Sequence, residues 1–401
     1  MVVAVRGGAS MRAVARRFGV GLGTVQRWVD RAAEADLERV DWASRSSAPA
    51  RQARRIPAPI EDEILTVRRT LRVESVLGEY VAAAIRHELL VGWSGDPARA
   101  PSLRTIGRIL ERRGALDARR RVRRPAPPAG WYLPDLAARR VELDSFDVIA
   151  GLRLKGGRDL EILTGISLHG GLTGAWPAWT VTTTAAMVAI EAHWRAHGRP
   201  AYVQFDNDTR FQGSHGYVDL FGRLVRLCLS LDVVPVFAPP REMGFQAAIE
   251  SFNGRWQAKI WGRFWVDSLA ELQARSARYI AASHGHAAVR IETAPARLPF
   301  PEIWAFDPKA KPVGQLVFLR RTSERGTAEI LGRAYEVDRH WSHRLVRAEV
   351  DLTAGCIRFH ALRRRDPTDQ PVLREHPYEP VMHRIWNRPG GDDTATETHR
   401  E

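Results

Sequence analysis

Apolar residues recur along this chain with two periods, and the change from one to the other divides it. From Ser10 to Ala33 they fall three and four apart. Val14, Ala15 and Phe18 form the apolar side of a short helix that Ser10 can cap, and Leu22, Val25 and Val29 line a second. Gly19 lies between them, where a tight turn needs positive φ. Residues 42–59, rich in Ser, Ala, Pro and Arg, read as a linker. Three further amphipathic segments follow: IEDEILTVRRTL, SVLGEYVAAAIRHELL and PSLRTIGRILERRGAL. In the last, Ser102 is the cap, and Leu103, Ile106, Ile109 and Leu110 share one face.

The run RRRVRRPAPP at 119–128 breaks the helical pattern, and from 139 the period shortens to that of strands. RRVELDSFDVIAG, LEILTGISLHG and LTGAWPAWTV read as three strands. Next come a helix ending at Gly198, the buried strand PAYVQFD, a helix to Asp232, the strand VVPVFAP, and a helix through FQAAIESFNGRWQAKIWGR. That order predicts an α/β layer on a mixed sheet. From 313 to about 362 apolar and polar positions alternate between turn signals, which predicts a small antiparallel β-barrel. The expected fold class is multidomain: all-α helix-turn-helix units, an α/β core with a mixed sheet, and a C-terminal barrel. Its borders are 1–41, a linker at 42–59, a second helical unit at 60–118, a hinge at 119–134, the core at 135–300, the barrel at 301–386 and a disordered tail at 387–401.

Charge adds a partner. The chain carries a net +14, and its first 130 residues hold 25 arginines and no lysine against 14 acids. Such a bias points to a polyanion. Ala15, Gly19 and Val25 keep the spacing of a helix-turn-helix, which turns Thr24, Gln26 and Arg27 outward, where a recognition helix meets base edges and phosphates. Arg104, Arg108 and Arg112 lie along the polar side of the PSLRTIGRILERRGAL helix and suggest a second DNA-binding unit; a solvated bundle helix is the plainer alternative. Arg120, Arg121 and Arg123 belong to a run of five arginines in six residues, which resists packing and suits a hinge on DNA. The two cysteines, Cys228 and Cys356, lack CxxC spacing, so neither a disulfide framework nor a Cys-based zinc site is expected. No apolar run approaches 18 residues and no signal peptide is evident, so a cytoplasmic location with no membrane partner is expected.

Three carboxylates carry the candidate chemistry. Asp144 in VELDSFDV and Asp206 in VQFDNDTRF end strand-like runs, and Glu250 in AAIESFNGRWQ opens a helix. Acids gathered from distant sequence suit two divalent ions, which clamp the attacking and leaving oxygens of an in-line phosphoryl displacement. Asp147, three residues after Asp144, falls on the opposite face of the strand and reads as structural or solvent-facing. Glu142, on the face of Asp144, is a reserve candidate. Asn207 and Asn253 read as hydrogen-bonding the acids or the DNA backbone. Arg255 and Lys259, on the Glu250 helix, are candidate phosphate contacts. Trp131, just after the arginine run, is a candidate DNA contact, whereas Trp176, Trp179, Trp194, Trp256 and Trp261 read as core.

These residues resemble a known family. Asp on the first strand, Asp after the fourth and Glu on the last helix look like the RNase H-like catalytic core, and more narrowly the retroviral-integrase-like core of bacterial insertion-sequence transposases. Asp206-Asn207-Asp208-Thr209-Arg210-Phe211 stands where that family has D-N-G-x-x-F. Glu250-Ser251-Phe252-Asn253 stands for its E-x-x-N, and residues 239–244 resemble the loop leading to it. Two departures are Asp208 in place of glycine and 43 residues between Asp206 and Glu250, more than the family norm. The resemblance implies a DDE transposase or integrase in which Asp144, Asp206 and Glu250 hold two Mg²⁺ ions, with Mn²⁺ able to substitute. It implies double-stranded DNA as partner, both transposon ends and target, and a homo-oligomer on that DNA. A DNA-binding regulator or domesticated relative with an inactive core is the alternative.

Overall fold

The computed structural model describes residues 1–43, 56–93, 97, 100–116, 129–154, 157–213, 218–242, 244–364 and 366–380. Arg120, Arg121 and Arg123, most of the 42–59 linker and the 387–401 tail therefore lie outside the described residues. The chain divides into two compact units, Met1–Ile60 and Glu61–Glu401.

In the first unit, α1 (Val2–Arg6) precedes α2 (Met11–Phe18) and α3 (Leu22–Ala32). The Ser10 side chain accepts from Ala13 N and caps α2, and Gly19 closes it at φ 63°, ψ 30° in the left-handed region. Val14, Ala15 and Val25 form the small core of this unit. Phe18 and Leu22, expected inside, are 48% and 42% exposed, since three short helices cover too little surface to bury both. Gln26 and Arg27 are exposed and Thr24 is half-buried.

The boundary falls within α4 (Ala58–Glu74), which is followed by α5 (Ala82–Val91) and α6 (Leu103–Arg112). Ser102 caps α6 through Thr105 N, and Ile106, Ile109 and Leu110 are buried while Leu103 is exposed. Arg104 and Arg108 are exposed; Arg112 is also exposed but bonds Glu61 at 2.5 Å. After α7 (Pro134–Ala137) come β1 (Leu143–Arg153), β2 (Asp159–Ser167), β3 (Thr173–Ala178), α8 (Thr183–His197), β4 (Tyr202–Phe205), α9 (Thr209–Gln212), α10 (Arg223–Ser230), β5 (Val234–Phe237) and α11 (Ala247–Trp256). A π-helical turn, Gln257–Trp261, extends α11, followed by α12 (Leu269–His286) and α13 (Ala288–Glu292). The strands β6 (Gln315–Arg321), β7 (Thr327–Ile330), β8 (Arg333–Glu336), β9 (Leu345–Asp351), β10 (Cys356–Ala361) and β11 (Val372–Pro377) complete the unit.

The large sheet runs β11-β10-β9-β6-β5-β4-β1-β2-β3. β1, β2 and β3 pair antiparallel, and β1, β4 and β5 pair parallel. The expected separate barrel is corrected by one ladder. β6 joins β5 in parallel through Val236–Val317 and Phe237–Phe318, so the C-terminal strands continue the central sheet, and only β7–β8 stands apart as a hairpin. Alternation correctly signals strands there but does not say which sheet they join. One face of the sheet packs on α8 and α10 through Phe146, Val203, Ile190 and Leu224. The other packs on α11 and α12 through Ile149, Ile162, Phe252 and Leu272. Among the described residues no helix is long and apolar enough to cross a membrane.

Candidate active site

The register of two parallel strands decides which acids meet. Leu143 pairs with Tyr202 and Ser145 with Gln204, so one more step along both strands sets Asp147 beside Asp206. Across the antiparallel ladder on the other side, Asp147 pairs with Thr164. Leu143, Asp147 and Ile149 therefore share the face beneath α11, while Asp144 and Phe146 face α8.

Asp144 is thus separated from the acids expected beside it. It is wholly buried, takes Arg297 Nη1 on Oδ1 at 2.8 Å and Arg297 Nη2 on Oδ2 at 2.6 Å, and also accepts from Trp194 Nε1 at 2.9 Å. Burial alone would raise its pKa; the Arg297 guanidinium overcomes this and holds the carboxyl below the usual range. Its oxygens are committed to a structural ion pair. The reserve candidate, Glu142, is buried as well, with its carboxylate accepting from the backbone N–H groups of Leu143, His169 and Gly170.

Asp147 takes the expected place of Asp144. Burial raises its pKa, and the charges of Asp206 and Glu250 raise it further, against hydrogen bonds from Val148 N and Asn253. Asn253 Nδ2 donates to Asp147 Oδ2 at 2.8 Å, and Thr164 Oγ1 donates to Asn253 Oδ1 at 2.7 Å. Glu250 and Asn253, three apart on α11, point the same way. Asn253 thus bonds an acid outside the expected set. Asp206 follows the end of β4; burial and the nearby charge of Asp208 raise its pKa, while the Asp208 N–H that bonds its Oδ1 at 3.0 Å lowers it. Asp208 caps α9 and pairs with Arg210, which also bonds Glu161 at 3.0 Å. Asn207 donates to Ala238 O and accepts from Arg320, which fixes the turn.

Other expected contacts fall elsewhere. Lys259 donates to Gly78 O at 2.6 Å, and Trp131 is buried against Phe245 with centroids 5.4 Å apart, so neither offers a free DNA-facing surface. Arg255 is exposed on α11. The sequence reading missed a basic groove lined by Arg321, Arg344 and Arg364 beside Trp341 and His343. These arginines are scattered through the strands read as a separate barrel, so no local motif marks them.

No protein-family model and no curated protein matches this chain. Among solved structures, it resembles a chain of the simian T-cell lymphotropic virus intasome in complex with PP2A regulatory subunit B56 gamma. That match has 14% identity and a TM-score of 0.32 over 69% of this chain and 88% of the other. It also resembles the HTLV-2 integrase catalytic core domain in complex with magnesium, at 12% identity and TM-score 0.27 over 39% and 87% of the two chains. The BIV integrase catalytic core domain matches at 15% identity and TM-score 0.26 over 35% and 81%. The chemistry has to be read from the side chains.

The acids suit a hard divalent cation by donor type and by charge: oxygen ligands only, with Asp147 and Asp206 both raised by burial and neighbouring negative charge. Among the described residues no three His, Cys, Asp or Glu side chains are grouped closely enough to hold a metal ion. Glu250 is exposed on the first turn of α11. A testable consequence is a pH effect on stability. A carboxyl whose pKa rises on folding holds its proton more tightly in the native state, so metal-free stability falls as pH rises through the folded value. In EDTA at pH 8, Asp147→Asn is expected to raise the melting temperature by about 2 °C or more, and to shrink the rise that Mg²⁺ produces in the parent protein. Differential scanning fluorimetry across pH 5–8 with and without the ion checks both.

Proposed function

We propose that this chain cuts and joins DNA strands by divalent-ion-supported phosphoryl transfer, as a transposase or integrase does, with Asp147, Asp206 and Glu250 as its acids. The observation supporting this reading is that the register of two parallel strands brings Asp147 toward Asp206, with the charges of Asp206 and Glu250 both felt at Asp147. Bound there, Mg²⁺, or Mn²⁺ in its place, supplies charge neutralisation and an activated water or 3′-hydroxyl for an in-line displacement. The chain's own residues hold the carboxylates ready. Asn253 orients Asp147, Arg210 and Asp208 brace the Asp206 turn, and α11 presents Glu250.

Arg255, Arg321, Arg344 and Arg364 give a polyanion cationic contacts in this unit, and bidentate guanidinium forks suit phosphate. In the first unit, Gln26 and Arg27 stand exposed on α3 after the Gly19 turn, which supports DNA-end recognition by that helix. Two ends joined to one target favour a homo-oligomer on DNA, the protein acting on the bacterial nucleoid. The test is a strand-joining assay with labelled element-end duplexes. Cleavage and joining are expected with Mg²⁺ or Mn²⁺ and none in EDTA. DNA binding without either reaction in any divalent ion would favour a DNA-binding regulator with an inactive core.

A further inference from the structure

Behind the acids, on the same face of the sheet, a cavity of about 520 Å³ opens under the start of α11. Ser145 and Gln204 form its floor, each two residues before an acid, so floor and acids are one strand step, roughly 7 Å, apart. Trp131, Tyr132 and Phe245 make an aromatic wall, with ring centroids 5.4–6.2 Å apart. Arg255 and Arg364 stand at the lining.

The cavity carries donors without acceptors. Gln204 is 2% exposed, and its Nε2 has no hydrogen-bond partner; its Oε1 takes only a 3.5 Å bond from Ser145 Oγ. The Tyr132 hydroxyl is near enough to feel the Gln204 amide, but the geometry of a closed bond is not met. Gln246, the N-cap of α11, makes no side-chain cap, and its own Nε2 is also buried without a partner. An unsatisfied buried amide is costly, and an uncapped ten-residue helix start turns N–H groups and positive dipole toward the space. The ligand that answers these features has an acceptor-edged flat ring and an anion.

We propose that this cavity holds one unpaired nucleotide of the DNA strand beside the scissile phosphate. Its base lies against the aromatic wall with a ring carbonyl on Gln204 Nε2, and its phosphate lies at the α11 N-terminus, with Arg364 and, farther along α11, Arg255 at the lining. The volume suits a nucleotide, and unstacking a base near a strand end costs only a few kcal/mol. This rests on the DNA-joining reading, since that reading brings a strand past the acids.

The test titrates the full-length protein in EDTA with thymidine 5′-monophosphate, followed by calorimetry and saturation-transfer NMR, with thymidine and inorganic phosphate as separate arms. Saturable binding of the nucleotide is expected, with each fragment at least about tenfold weaker. Gln204→Leu should weaken binding about tenfold or more. Ser251→Trp, a substitution at an exposed α11 position lining the cavity, should abolish binding without lowering the melting temperature. The proposal is overturned by no saturable binding to the parent protein, by inorganic phosphate binding as tightly as the nucleotide, or by unchanged binding in a folded Ser251→Trp protein. Neither metal nor cleavage enters this readout. A protein that joins DNA but ignores the nucleotide would lose the cavity assignment and keep the proposed function, and one that binds the nucleotide but joins no DNA would do the reverse.

Discussion

Asp147→Asn is expected to lower strand cleavage and joining by at least about a thousandfold, some 4 kcal/mol of transition-state stabilisation, while DNA binding stays within a few-fold of the parent. The asparagine keeps the size of the side chain and can still bond Asn253, but it removes one of the charges that gather a divalent ion. Asp206→Asn and Glu250→Gln should behave alike. Asp144 is the informative contrast, because the sequence motif singles it out and the fold buries it against Arg297. Changing Asp144 alone strands a buried guanidinium, so the comparison needs Asp144→Asn together with Arg297→Gln, which trades an ion pair for an amide pair. That double variant, assayed below its melting temperature, should keep at least about a tenth of the parent rate. An active Asp147→Asn protein beside a folded but inactive double variant would return the catalytic role to Asp144.

The element order of the core, three strands and then alternating helices and strands, is legible because each run has a clear period and glycine or proline punctuation. The positions of Asp206 and Glu250 and the Gly19 turn are legible for the same reason, since each sits at an element end that local sequence marks. The choice between Asp144 and Asp147 is not. β1 is covered on both faces, so Leu143, Asp144, Ser145 and Phe146 are all buried and alternation does not distinguish inside from outside. Only the pairing of Ser145 with Gln204 resolves the parity, and a ladder between residues 59 apart leaves no local trace. The barrel fails in the same way: β6 to β10 fall in the stretch read as strands and β11 lies beyond it, and the attachment of β6 to β5 rests on just two residue pairs. Arg297 is hidden by distance, 153 residues from the carboxylate it neutralises.

Arg297→Ala is expected to destabilise the unit from Glu61 onward by about 3–5 kcal/mol, because it leaves Asp144 charged, buried and unpaired. The loss includes geometry as well as charge: Arg297 Nε also donates to Gly198 O, at 3.0 Å, and so ties the residue that ends α8 to β1. Removing both charges should cost much less than the sum of the single changes, so a double-mutant cycle over Asp144→Asn and Arg297→Gln should show a coupling above about 1 kcal/mol. Acid should expose the same cluster in two stages. Burial holds the His193 pKa down from 6.5 to about 4, so the unfolded chain takes up that proton first and stability begins to fall as pH drops below 6.5. The Asp144 contribution, from a pKa held below its ordinary value by Arg297, survives further and is lost only as pH falls through that lowered value. His193→Phe should therefore flatten the upper part of the acid limb and leave the lower part, whereas Arg297→Ala should lower stability at neutral pH and flatten the lower part. Urea melts from pH 7 to pH 3 separate the two. An Arg297→Ala protein as stable as its parent at pH 7 would mean that Asp144 finds another partner and that the pair does not hold β1 in place.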